Sequence, residues 1–229
     1  MNHNKENLLG LGLLAAGMIH EIRTPLHMLK ERLKILADSN QDAAEECVRL
    51  ADLCDHALSI LKSMQDFSKA SINAPLLPCD PHDLVESAHE LCRTKFAAEN
   101  ISFHVQAHPE IFRIRAQRTQ CLQVLLNLFK NACEAMQGLE KKRLDVFILN
   151  AEDQLVIRIQ DTGPGVSSEI RQNLMRAFET TKSEQGGTGL GLYLSQQIMQ
   201  LHGGTLGLLD AEGGACFELS FPKPAKGNT

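Results

Sequence analysis

Asn127, Asn131 and Glu134 fall at i, i+4 and i+7 of a helical stretch, which sets them on one polar face. A carboxamide oxygen is a hard, neutral ligand, suited to magnesium that already carries phosphate oxygens. Further along, Asp161-Thr162-Gly163-Pro164-Gly165 directly follows a strand-like run. The aspartate can accept a hydrogen bond from an adenine amino group, and such a turn needs glycines for positive φ or close ligand approach. Thr180-Thr181-Lys182 and Gly186-Gly187-Thr188-Gly189-Leu190-Gly191-Leu192 then lead into a helix whose apolar face is Leu190, Leu194, Ile198 and Leu201. Backbone amides at a helix start of this kind bind phosphate. The glycine spacing is not a dinucleotide fingerprint, and no Gly-Lys-Ser/Thr follows it. Each stretch alone has a plainer account: a solvated polar stripe, a strand-to-helix turn with Ser167 capping the next helix, and a simple glycine loop.

A fourth stretch lies near the amino end, Gly17-Met18-Ile19-His20-Glu21-Ile22-Arg23-Thr24-Pro25-Leu26. Residues on a helix advance by about 100° each, so Met18 and Ile22 share a face and His20 lies opposite, with Thr24 and His27 beside it. An apolar helix thus holds one imidazole out in water, with a carboxylate next to it and a proline one turn later. A solvated histidine on an ordinary amphipathic helix accounts equally well for this stretch by itself.

The elements that carry these residues fall into two groups. Residues 5–38 read as one helix with apolar positions Leu11, Ala15, Met18, Ile22, Leu26, Leu29, Leu33 and Leu36, broken in phase at Pro25. A second helix spans about 41–71, with Leu50, Leu53, Ala57, Ile60, Met64 and Phe67 at three-four spacing. The two predict an antiparallel hairpin whose wide stripes need a second copy, giving a four-helix bundle in a dimer. Packing of that face onto the chain's own carboxyl-terminal part is the alternative. Pro75, Pro78 and Pro81 mark a linker. Beyond it the pattern predicts helices over 81–98, 117–137 and 189–201. It predicts strands over Ile101–Gln106, Ile111–Arg115, Arg143–Asn150, Leu155–Gln160, Leu206–Leu209 and Cys216–Phe221, the last two joined by a Gly213-Gly214 turn. Leu122, Leu125, Phe129, Ala132 and Met136 are the expected buried face of the second of these helices. This order of elements suggests an α+β sandwich. The expected domains are therefore 1–74, all-α, and 75–229, α+β.

Composition narrows the function. The 229 residues are 43% hydrophobic and 22% charged with a net charge of −5, which offers no broad basic surface for nucleic acid. Trp is absent and Tyr193 is the single tyrosine, which disfavours base-stacking modules. Seven scattered cysteines without a Cys-x-x-Cys fit reduced thiols in the cytoplasm. The apolar run from Leu8 to Ile19 is too short to span a bilayer, so no membrane segment is expected.

Taken together and in this order, the stretches resemble the sensor histidine kinases of two-component systems. Met18–Leu26 matches the phosphoacceptor box, Asn127–Ala135 the asparagine box, and Asp161–Gly165 and Gly187–Leu192 the two glycine boxes. Phe178–Lys182 resembles the phenylalanine box, and His202-Gly203-Gly204 the motif after the last helix. The short interval from Phe178 to Gly204 looks most like the nitrogen-regulation subgroup. The resemblance covers nearly the whole chain and implies a GHKL-type ATP-binding domain behind a dimerising phosphoacceptor hairpin.

By that resemblance His20 is the phosphorylated nucleophile and Glu21 takes the imidazole proton. Asn131 holds magnesium and Asp161 binds adenine. Asn127, Gly163, Gly165, Gly187, Thr188, Gly189, Leu190 and Gly191 shape the ATP pocket and its lid, with Thr180, Thr181 and Lys182 in or near that lid. Many relatives carry a basic residue where Glu134 stands; Lys130 or Lys182 is the substitute here. The implied activity is ATP-dependent autophosphorylation of His20, with transfer to a response-regulator receiver aspartate. Thr24 would position a water in the reverse, phosphatase reaction, although easing of helix strain before Pro25 explains it equally well. A homodimer, an upstream sensor domain or protein, ATP and Mg2+ are the expected partners and cofactors. A gyrase- or heat-shock-type ATPase would need a glutamate in place of Asn127 to activate water. A non-catalytic scaffold would need no intact motifs, yet none is visibly broken.

Overall fold

The computed structural model describes residues 22–23, 26–37, 44–69, 75–171, 174, 190–211 and 213–223. They fall into two compact units, one of Met1–Asn73 with Arg176–Gly191 and an α/β one of Ala74–Met175 with Leu192–Thr229.

In the first unit, α1 (residues 26–37) lies beside α2 (Ala44–Lys69). Leu33, Cys47 and Cys54 form their buried seam, with Leu26 and Ala37 packed against it. Lys30 Nζ and Asp55 Oδ1 close the seam at 2.5 Å. The predicted stripe is only partly covered: Leu29 is 49% exposed and Leu50 40%. These two line an apolar groove with Leu26, Leu33 and Cys54.

The second unit is a layer of helices on a mixed sheet. Its elements are β1 (Leu77–Cys79), α3 (Pro81–Ala98), β2 (Ile101–Ala107), β3 (Ile114–Ala116), α4 (Arg118–Ala135), β4 (Lys142–Asn150), β5 (Gln154–Asp161), α5 (Ser168–Arg171), α6 (Gly191–Leu201), β6 (Thr205–Leu209) and β7 (Cys216–Pro222). The main sheet runs β2-β4-β5-β7-β6. β2 and β4 are parallel, and the other neighbours are antiparallel. α3 starts where Asp80 accepts a bond from His82 N at 2.9 Å and Pro81 supplies the first helical residue.

Alternation places Leu144, Val146 and Ile148 of β4, Leu155, Ile157 and Ile159 of β5, and Phe217, Leu219 and Phe221 of β7 in one buried layer. Leu84, Val85, Ala88 and Phe96 of α3 and Val124, Leu125, Leu128, Phe129 and Ala132 of α4 supply the buried faces of the helices. Phe96, Phe103 and Phe129 meet with ring centroids 5.5–5.9 Å apart. The α4 stripe is wider than the spacing suggested. Leu122 is only half-buried, and Cys121, Val124, Leu128 and Cys133 take the interior instead.

Two local expectations are corrected. The stretch read as a linker contains β1, which pairs with β3 in a separate two-stranded ribbon, Leu77 opposite Ala116 and Cys79 opposite Ile114. Pro78 is tolerated because the ribbon is only two strands wide and one edge needs no donor. The strand expected over Ile111–Arg115 is shortened to Ile114–Ala116. Its first residues lie outside the ladder, next to the turn in which Glu110 N donates to His108 Nδ1 at 3.1 Å.

Candidate nucleotide site at the end of β5

β5 carries its inward row as Leu155, Ile157, Ile159 and then Asp161. The same alternation that buries the isoleucines therefore delivers a carboxylate to the interior at the strand end. Asp161 is 4% exposed and is the one buried carboxylate among the described residues. Burying a charge is costly unless it is hydrogen-bonded, and two backbone amides meet it. Gly163 N donates to Oδ1 at 2.8 Å, and Ala215 N donates to the same atom at 3.2 Å. Asp161 N in turn donates to Ala215 O at 3.0 Å. The carboxylate is thus held by its own turn and by the turn between β6 and β7.

The glycines around it are required by space. A β-carbon on Gly163 would stand 2.8 Å from Asp161 Oδ1 and 3.1 Å from Ala135 Cβ. Gly165 has φ +78°, and a β-carbon there would meet Gly214 O at 3.0 Å. Thr162 fastens the turn sideways: its hydroxyl accepts from Arg143 N at 3.0 Å and contacts Met136 Sδ at 3.4 Å. The Asp161–Gly165 turn therefore sits against the carboxyl end of α4.

That end of α4 carries the predicted polar face. Asn127, Asn131 and Glu134 are half-buried, and Lys130 is exposed. Lys130 Nζ lies 3.7 Å from Glu134 Oε1, so the lysine balances the acidic residue one turn on. Asn127 Nδ2 donates to Ser195 Oγ of α6 at 3.1 Å. Cys133 and Cys121 of α4 take no part as thiolates: burial pushes Cys133, beside Glu134, up to about 11 and Cys121 up to about 12.

α6 begins at Gly191, and Leu190 just before it is buried. Its far end is closed by His202, 3% exposed, whose Nδ1 lies 2.8 Å from Ile198 O. His202 Nε2 accepts from Gln117 N at 2.9 Å. The ring is therefore a neutral Nδ1–H imidazole that holds the backbone amide of Gln117, the residue just before α4. Burial holds its pKa below the ordinary histidine value.

The structure thus brings Asn127, Lys130, Asn131, Asp161, Gly163 and Gly165 to one end of the α/β unit. His20, Glu21, Thr24, Thr180, Thr181, Lys182, Gly187, Thr188 and Gly189 lie outside the described residues. Three contributors were not visible in the sequence: Ser195, Gly214 and Ala215. A doublet of glycines signalled the hairpin turn but not its contact with a strand end more than fifty residues away.

A buried carboxylate ringed by glycines, next to a helix that carries two carboxamides, makes this end of the α/β sandwich a candidate nucleotide site. Residues 116–225 match the histidine kinase-, DNA gyrase B- and HSP90-like ATPase family. The chain is 31% identical to the signal transduction histidine-protein kinase AtoS of Escherichia coli (strain K12), over 97% of this chain and 36% of that protein. The catalytic domain of histidine kinase ThkA superposes with a TM-score of 0.59 at 29% identity, over 65% of this chain and 97% of that one. ThkA in complex with the response regulator protein TrrA superposes with a TM-score of 0.65 at 24% identity, over 96% of this chain and 64% of that one. Residues 116–225 carry a GHKL-type ATPase domain, and over nearly its whole length the chain is similar to the sensor histidine kinases of two-component systems. It spans about a third to a half of the length of the curated relatives it matches.

Proposed function

We propose that this chain binds ATP, transfers its γ-phosphoryl group to His20, and passes the group on to a receiver-domain aspartate of a response regulator. The observation that carries this is Asp161. A buried carboxylate fixed by two amides is suited to an exocyclic amino group and would repel a phosphate. Adenine at Asp161 leaves the triphosphate to the α4 carboxamides and the amides that open α6. The donor set also fits magnesium: Asn131 offers a neutral hard oxygen, and the Lys130–Glu134 pair keeps local charge balanced. When bound, that ion neutralises the phosphate oxygens.

Residues 1–74 then serve as the dimerisation and phosphoacceptor domain and 75–229 as the catalytic domain. The exposed leucines beside the α1–α2 seam support a four-helix bundle made with a second copy. A nitrogen-regulation-type subgroup, a cytoplasmic location and an upstream sensor region fit the same reading. No helix among the described residues is long and apolar enough to cross a membrane.

Transfer is tested by incubating the full chain with magnesium and radiolabelled ATP, then with a panel of receiver domains. The reverse reaction is tested with Thr24→Ala. It should keep His20 labelling and forward transfer, and slow the decay of the phosphorylated regulator. Decay as fast as with wild type would remove Thr24 from that role.

A further inference from the structure

We infer that Ser195 is a positioning residue for Asn127, keeping its carboxamide oxygen, alongside that of Asn131, as the end offered to the magnesium ion; the inference rests on the ATP-binding reading above. A carboxamide has a donor end and an acceptor end, and only the acceptor suits a hard cation. Left to itself the group can rotate and present either. Here Nδ2 is spent on Ser195 Oγ at 3.1 Å, so the oxygen is the end kept for a ligand. The serine is 2% exposed, where a hydroxyl without a partner is costly, so the pair is held together from both sides.

Ser195 is also fixed in place. It sits on α6 between Gly191, which opens the helix, and His202, which ties its far end to Gln117 at the start of α4. Any shift of α6 relative to α4 would be felt at the Ser195–Asn127 bond. The helix that opens directly after the glycine stretch and the helix that carries the asparagines are thereby coupled through one side-chain pair. Groups that orient a metal-binding residue typically change metal affinity or activity by about 10–100-fold when removed.

The test uses the full 15N-labelled chain with Mg2+ and a fluorescent ATP analogue. Ser195→Ala should move the Asn127 carboxamide resonances and raise the Mg2+ concentration needed for half-maximal nucleotide binding about tenfold. Nucleotide binding without Mg2+ should stay at its wild-type value. Ser195→Ala and Ile198→Val, on the same buried helix, should each lower the melting temperature by a few degrees, but Ile198→Val should leave the Mg2+ requirement unchanged. In an Asn127→Ala background, Ser195→Ala should have no further effect on that requirement. If Ser195→Ala keeps the wild-type Mg2+ requirement, or costs as much with Asn127 removed, the positioning role is overturned while the ATP reading stands. Wild-type protein that binds no nucleotide would overturn both.

Discussion

Gly214 lies so close to Asp161 that a β-carbon on it would collide with the Asp161 carbonyl oxygen. Its φ of +90° places it where side-chain-bearing residues are strained in any case. The next residue, Ala215, accepts a backbone bond from Asp161 N and donates to the Asp161 carboxylate. The β6–β7 turn is therefore the back wall of the site.

Gly214→Ala should push that wall off the carboxylate and weaken ATP binding at least about tenfold, the equivalent of one lost hydrogen bond. Gly213→Ala is the comparison. Gly213 has φ +75° with open space around it, so only left-handed strain of about 1–2 kcal/mol is expected, with ATP affinity unchanged. Titration with a fluorescent ATP analogue alongside thermal unfolding separates the two. Equal loss of affinity in both variants would remove the wall's role.

Asp161→Ala should remove one charge-assisted bond to the base, worth about 1.5–3 kcal/mol, or a factor of roughly ten to a hundred in ATP affinity. GTP, which has a carbonyl oxygen where adenine has its 6-amino group, should bind wild type and variant equally weakly. Calorimetry with the two nucleotides checks this; tight ATP binding by Asp161→Ala would exclude adenine from the site.

The legibility of this site followed the range of its contacts. Asp161 could be read from the sequence because Ile157 and Ile159 set the alternation and the glycines follow at once. The asparagine face of α4 was legible from helical spacing alone. Ser195 and Ala215 were not, since they meet Asn127 and Asp161 across 68 and 54 residues of chain, and no local pattern encodes such pairings. The strand order was hidden for the same reason: the parallel β2–β4 pair is a property of the closed sheet. β1 was missed because Pro78 reads as a breaker, and only its partner β3 shows that the missing donor is not needed.

His202 makes stability depend on pH. Its folded-state pKa lies below the 6.5 of a free histidine, so the unfolded chain binds the proton more readily. The stabilisation is complete above about pH 6.5, declines as pH falls towards the folded-state value, and is constant below it. His89, whose pKa burial also lowers, acts in the same direction. Thermal unfolding between pH 8 and pH 5, conditions set by the ordinary histidine range, should show wild type losing stability faster than His202→Gln. Parallel curves would mean that His202 titrates alike folded and unfolded.

Leu29→Glu places a charge in the apolar groove beside Leu26, Leu33, Leu50 and Cys54. If a second copy covers that groove, light scattering should show a dimer for wild type at micromolar concentration and a monomer for the variant. A monomeric wild type would contradict the four-helix bundle.

Phosphorylation of His20 is tested most directly by labelling the full chain with radiolabelled ATP and magnesium, then treating the product with acid and alkali. A phosphoimidazole predicts a label that is lost in acid, retained in alkali, and absent from a folded His20→Ala variant. Acid-stable label, or full labelling of His20→Ala, would contradict it.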